Sequence, residues 1–322
     1  MSLEPRKYSE RLGVIDADQL QRACDLFDLG AVTDAETPVG GLFGQNVILT
    51  TSQGRFVLRG NPFGHVQLTK ERVVARFIHE GSSLPAPWPY EVSDDTEIFG
   101  WTFAVMPCLP GEPGTVAWDD EANRVSLCRA TGEALAAMHE ASSPFFGPYD
   151  AQVDGFIEMD DFRDWTMHRL EHWRTACRAA NSLGTEAERW IDKLLDECAP
   201  ALDVPFAPVI VHHDFRHGNL AFEGGVASGV FDLFEAYLAD GEEDLVRMLW
   251  SVTNRAERAA FTDPYLAARP LRDGAAERLA IYAVADWMCI WEYGARHGGF
   301  EGTTFLEWAV PIVRRARAVA QS

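Results

Sequence analysis

Apolar and polar positions change period several times along the chain, and each change marks an element. DADQLQRACDLFDLG carries an N-cap residue, Asp16, with Gln19 three positions on, which predicts a helix opened by a capping box and stopped at Gly30. From Val32 to Arg59 the pattern turns to strands, and NVILTTSQGRFVLR reads as two β-rich runs joined at Ser52-Gln53-Gly54, a hairpin. A second helix, roughly Val66 to Glu80, precedes LPAPWP, whose three prolines end helicity. WTFAVMP then reads as a buried strand and PCLPGEPG as a Pro- and Gly-rich connector. Beyond it the pattern is mainly helical, over Arg124–His139, Asp161–Asn181 and Thr185–Cys198, the last with a capping box Thr185-x-x-Glu188. One β island interrupts, from Val209 to about Leu233.

The expected fold class is therefore α+β, with residues 1–106 as a small β-rich lobe, residues 107–322 as a larger helical lobe and the ligand site in the cleft between them. A length of 322 residues exceeds the usual single core, and a composition 47% hydrophobic, with ten Trp and nineteen Phe, is enough to fill two. No run approaches the roughly 18 apolar residues of a membrane span, and MSLEPRKYSERLG has no signal-peptide segment, so a cytoplasmic protein without a membrane partner is expected. Cys24, Cys108, Cys128, Cys177, Cys198 and Cys289 form no C-x-x-C pair and read as reduced thiols. A formal net charge of −21 opposes binding to nucleic acid and suits a cationic small substrate.

The chemistry gathers in PVIVHHDFRHGNLAFEGGVASGVFDLFEA. A buried strand, Val209–Val211, delivers His212, Asp214 and Asn219 onto a loop, and a short hairpin through Gly224-Gly225 returns the chain to Asp232. Two carboxylates and a carboxamide at one end of a hairpin suit phosphoryl transfer, which needs a carboxylate for the hydroxyl proton and hard oxygens for Mg²⁺. Upstream, alternation along FVLR places Val57 and Arg59 on one strand face. Glu71 shares a helix face with Val74, Ala75 and Ile78, and a carboxylate on an apolar face needs a partner, which Arg59 could supply.

The order His212-x-Asp214-x-x-x-x-Asn219, then Asp232, resembles the catalytic and metal-binding loops of the aminoglycoside phosphotransferase and choline kinase family, relatives of the protein kinases, and the likeness runs from about Gly40 to Leu249. The resemblance implies a bilobal protein-kinase-like fold and an enzyme that moves the γ-phosphate of ATP to a hydroxyl of a small molecule, with GTP left open as donor. It implies Asp214 as catalytic base, Asn219 and Asp232 as Mg²⁺ ligands, His212 as a brace of the loop backbone and Arg216 as a cation near the transferred phosphate. Val57 would face adenine and Met106 would lie in the inter-lobe hinge, while Gly41 and Gly44 of GGLFGQN are candidates for a loop over the phosphates. His139 and Asp244 are expected to be structural. Two departures stand out: many relatives have Gly where His213 stands, and LADGEEDL is an altered form of their G-D-P-x-x-D-L segment.

Three other readings compete. His213 and His217, at i and i+4, could hold a transition metal in a phosphohydrolase; the fold could persist as a nucleotide-binding pseudokinase; or the acceptor could be a protein hydroxyl, making the chain a Ser/Thr kinase. For a cationic acceptor the candidate receptor is Asp286, which interrupts the apolar stripe Leu279, Tyr282, Ala283, Ile290 and has Trp287 and Trp291 as helix neighbours. A structural Asp286 bonded to an arginine, with both tryptophans in the core, is the alternative.

Overall fold

The computed structural model describes residues 6–9, 13–38, 45–61, 65–180, 182–252, 254–297 and 299–321. Its N-terminal part is a five-stranded antiparallel sheet in the order Val32–Glu36, Gln45–Thr51, Gly54–Asn61, Thr102–Pro107, Glu91–Ser93. The expected hairpin is present, with Thr51 paired to Gly54 across Ser52-Gln53. Strand alternation divides this sheet into two faces. Val47, Leu49, Leu58, Phe103 and Val105 form one apolar cluster with Leu20, Ala23 and Cys24 of the first helix, Ala17–Leu26. Val57, Ala104 and Met106 point the other way and join Leu68, Val74 and Ile78 of the helix Val66–Gly81.

The first helix opens as expected, with both arms of the Asp16/Gln19 capping box made, but it ends at Leu26 rather than near Gly30. Asp28 takes a left-handed φ of 54°, and the amides of Leu29 and Asp28 donate to the carbonyls of Cys24 and Asp25. That is a Schellman stop with aspartate in the place glycine usually takes. The box expected at Thr185 does not form. Helix Thr185–Cys198 is capped by Gly184 without a side-chain bond, because Glu188 instead binds Arg174 and Arg178 of the preceding helix, Phe162–Ala179.

The C-terminal part is helical around Ala275–Arg296, a helix of 22 residues that packs against Phe162–Ala179, Thr185–Cys198 and Phe305–Val319. Helices Arg124–Met138 and Arg255–Ala268 lie close together because a Cβ at Gly132 would come within 2.0 Å of the Phe261 carbonyl oxygen. The β island is richer than its sequence suggests: Val209–Val211 pairs with a further strand, Tyr237–Ala239, while Leu220–Glu223 pairs with Val226–Val230 and with Glu112–Pro113. A sheet-rich N-terminal part and a helical C-terminal part make the chain α+β. Among the described residues no helix is long and apolar enough to cross a membrane.

Candidate active site

The loop after Val209–Val211 is held from below. Asp244, buried, accepts the backbone amides of His212 and His213 at 2.7 Å each on its two oxygens, and its Oδ2 also lies 3.1 Å from Nε2 of His139. His139 Nδ1 faces the Tyr265 hydroxyl at 3.1 Å, so the imidazole donates to the carboxylate and accepts from the phenol. Burial foremost keeps His139 below the usual histidine pKa, although Asp244 pulls the other way. His212 spans the loop: Nε2 reaches the Phe231 carbonyl at 3.0 Å and Nδ1 accepts the Asp214 amide at 3.3 Å. His213 takes a left-handed φ of 67°, a backbone state that glycine adopts without strain, which is a physical reason for the glycine expected there.

Asp214 and Asn219 are clamped to each other. Asn219 Nδ2 donates at 2.8 Å to both the carbonyl and Oδ2 of Asp214. Arg216 Nε lies 3.3 Å from Asp214 Oδ1, and Arg247 Nε lies 3.4 Å from the same oxygen. Burial pushes the Asp214 carboxyl up, but Arg247, Arg216 and the Asn219 bond together hold it below the usual carboxylate range. It is therefore ionised at neutral pH and available to accept a proton.

Asp232, carried at the end of the hairpin at a φ of 64°, lies 3.0 Å from Arg59 Nη2, which also bonds Glu71 at 2.9 Å. Glu71 further accepts from Gln67 at 3.1 Å and Tyr90 at 2.8 Å. Burial disfavours a charged Arg59, but Glu71 and Asp232 outweigh it and raise its pKa. One guanidinium thus joins the sheet, the helix Val66–Gly81 and the hairpin that ends at Asp232. Val57 lies on the same strand face as Arg59 and pairs across the sheet with Met106. Gly41 and Gly44 lie outside the described residues.

The donor set fits a hard divalent cation. Asn219 commits Nδ2 to Asp214 and keeps Oδ1, and Asp232 commits Oδ1 to Arg59 and keeps Oδ2 on a side chain 47% exposed. Among the described residues no group of three or more His, Cys, Asp or Glu could hold a metal. His213 and His217 do not converge. His213 packs on Tyr237, and His217 stacks on Trp118 with ring centroids 3.9 Å apart. Burial first, then Arg216 and Arg124, bring His217 down to about 4.

Asp286, the candidate receptor, instead matches the structural alternative: it is 2% exposed and has Arg247 Nη2 at 2.6 Å from Oδ1. Trp287 and Trp291 are core residues, packed with each other and with Phe300. Desolvation is the reason: a carboxylate at that depth needs a counter-ion from the protein, and Arg247 supplies it. Arg247 itself escaped notice in the sequence. Its signal is a lone cation in the apolar run LVRMLW, which has to find an anion.

The chain is similar to known kinases and phosphotransferases in sequence and in fold. Homoserine kinases from Methylobacillus glycogenes (25% identical, over 80% of this chain and 78% of that one) and from Neisseria meningitidis serogroup B (24%, over 84% and 85%) are similar along most of their length. In fold the chain resembles aminoglycoside phosphotransferase APH(4)-Ia, with a TM-score of 0.67 at 20% identity over 95% of this chain and 98% of that one. A thermostable mutant of that enzyme in ternary complex with ADP and hygromycin B gives 0.65 at 18% over 94% and 97%. Macrolide 2'-phosphotransferase MphH from Brachybacterium faecium gives 0.60 at 18% over 92% and 98%. The model of the phosphotransferase enzyme family matches residues 35–279, which include Arg59, Asp214, Asp232 and Asp244, so the chain belongs to that family and is a phosphotransferase with an alcohol group as acceptor.

Proposed function

We propose that the protein transfers the γ-phosphate of ATP to a hydroxyl of a small molecule in a cleft between a nucleotide lobe, residues 1–106, and a catalytic and acceptor lobe, residues 107–322. The observation that carries this reading is the placing of Asp214, fixed by two bonds from Asn219 on a loop pinned by Asp244. The acceptor oxygen bonds to the γ-phosphorus, the bond from that phosphorus to the bridging oxygen breaks, ADP leaves, and the hydroxyl proton goes to Asp214. Arg216 offsets charge on the γ-phosphoryl oxygens. Arg59, oriented by Glu71, engages the phosphates, with Val57 and Met106 beside adenine. Asn219 and Asp232 would hold Mg²⁺, which when bound would neutralise phosphate charge. His212 keeps the loop backbone in register.

The homoserine kinases among its relatives favour a small acceptor over a protein one. The paired state of Asp286 removes the main support for a cationic acceptor. The test is a screen of alcohols, amino alcohols, hydroxy amino acids and sugars for acceptor-dependent ADP release, with Asp214→Asn as background. Acceptor-dependent release that vanishes in the variant is expected. No release with any alcohol, or release undiminished by the substitution, would overturn the reading and leave a nucleotide-binding module.

A further inference from the structure

Beside Asp214 lies a cluster that the transfer chemistry above does not use. Arg247, on the helix Leu245–Ser251, has its guanidinium over the Trp250 ring at 5.5 Å, and the Trp250 and Trp287 rings lie 4.7 Å apart. The side chain is 15% exposed. Its two ion-pair contacts, to Asp214 and Asp286, lack hydrogen-bond alignment: Arg247 Nε, both Asp286 oxygens and the indole nitrogens of Trp250 and Trp287 are buried without hydrogen-bond partners. Folded proteins seldom leave such groups idle, and here three donors, Arg247 Nε and the two indole N–H groups, collect within one side-chain cluster beside Asp214.

Charges of both signs surround Arg247: burial opposes its charge, but Asp286, Asp214 and Glu235 raise its pKa. Burial first, then Arg169, Arg247 and Lys70, drive His213 well below the usual histidine pKa, which puts three cations around the residue next to Asp214. Arg169 is matched by Glu243. Arg247 faces both Asp214 and Asp286, and burial above all pushes Asp286 up to about 7, against the pull of Arg247 itself.

We infer that Arg247 is a specificity-determining residue that binds a carboxylate of the acceptor, so that the substrate is a small hydroxy acid or hydroxy amino acid. Asp286 is then a positioning residue that aims the guanidinium. The inference rests on the phosphotransferase reading and narrows its acceptor class. A planar guanidinium suits a carboxylate, and an acceptor held by Arg247 would bring its hydroxyl to Asp214, whose Oδ1 is 3.4 Å from Arg247 Nε.

The test uses matched acceptors that differ only in the carboxylate, homoserine against 3-amino-1-propanol and serine against ethanolamine, with an aminoglycoside as polycation control. In the wild-type enzyme the carboxylated member of at least one pair should have the higher kcat/KM by roughly 10–100-fold, the worth of a hydrogen bond to a charged group. Arg247→Gln should shrink that ratio towards one, and Arg247→Lys should restore part of it. A wild-type preference for the amino alcohols or the aminoglycoside overturns the inference without any variant having to fold. So does a ratio that survives Arg247→Gln, or an equal loss on both members, which would assign Arg247 to the phosphates or to the base. Turnover confined to uncharged alcohols or sugars defeats the carboxylate reader and leaves phosphotransfer standing, whereas no ADP release with any hydroxyl compound defeats phosphotransfer itself.

Discussion

Two buried carboxylates, Asp244 and Asp286, flank the loop that carries Asp214, and they are held in different ways. Asp244, beneath the loop, receives two backbone amides at 2.7 Å and an imidazole at 3.1 Å. Asp286, beside it, has one guanidinium at 2.6 Å and no hydrogen bond to either oxygen. Both sites exclude water, so the difference is not one of burial. A carboxylate with its lone pairs occupied by backbone donors fixes the path of the chain, and nothing is left over for a ligand. A carboxylate held by one guanidinium instead fixes the position of that side chain. Glu71 is also fully engaged, but by the side chains of Arg59, Gln67 and Tyr90 rather than by backbone donors.

The largest effect is expected at the residue between the two. Asp214→Asn should retain nucleotide binding and lower kcat by roughly 10²–10⁴, the usual range of general acid–base assistance; steady-state rates within about threefold of wild type would remove it from the mechanism. Next comes Asp244→Asn, in which an amide group would face the donors that the carboxylate now accepts. A loss of about 3 kcal/mol in urea unfolding is expected, with activity falling alongside. If Asp286→Asn proves equally damaging at neutral pH, the contrast between the two carboxylates collapses. In the Arg59 and Glu71 pair, each alanine variant should impair kcat/KM, and the double variant should fall short of additivity by about 1 kcal/mol or more. Strict additivity would mean that the two act separately.

The smallest effect concerns pH. Burial raises the Asp286 carboxyl from 3.8 to about 7, so folding takes up a proton between those values. The stability this contributes is complete below the lower value and is lost as pH rises through the upper one. Asp286→Asn should therefore match wild type near the acid end of that window and be the more stable variant above it, as read from Tm against pH. Parallel curves across the window would show that Asp286 stays ionised beside Arg247.

Much of this was legible in the residues. The spacing from His212 to Asn219, the return to Asp232 and the carboxylate on the apolar face of Val66–Gly81 all depend on neighbours within one strand, loop or helix, and the Arg59–Glu71 bond followed from them. Local patterns misled where a distant group competed. Glu188 could have capped its own helix but binds Arg174 and Arg178, and a glycine stop was expected where Asp28 already turns the chain.

The sequence by itself determined the α+β order of elements and the constellation around Asp214, because periodicity and loop spacing are short-range properties of a chain. Only the tertiary structure decided what the buried charges do. His139 meets Asp244 across 105 residues, and Arg59 reaches Asp232 across 173. Asp286 finds Arg247 on another helix. The cost of burying a charge requires that each have a partner, but it does not say which, and the choice is made when helices far apart in the chain pack together.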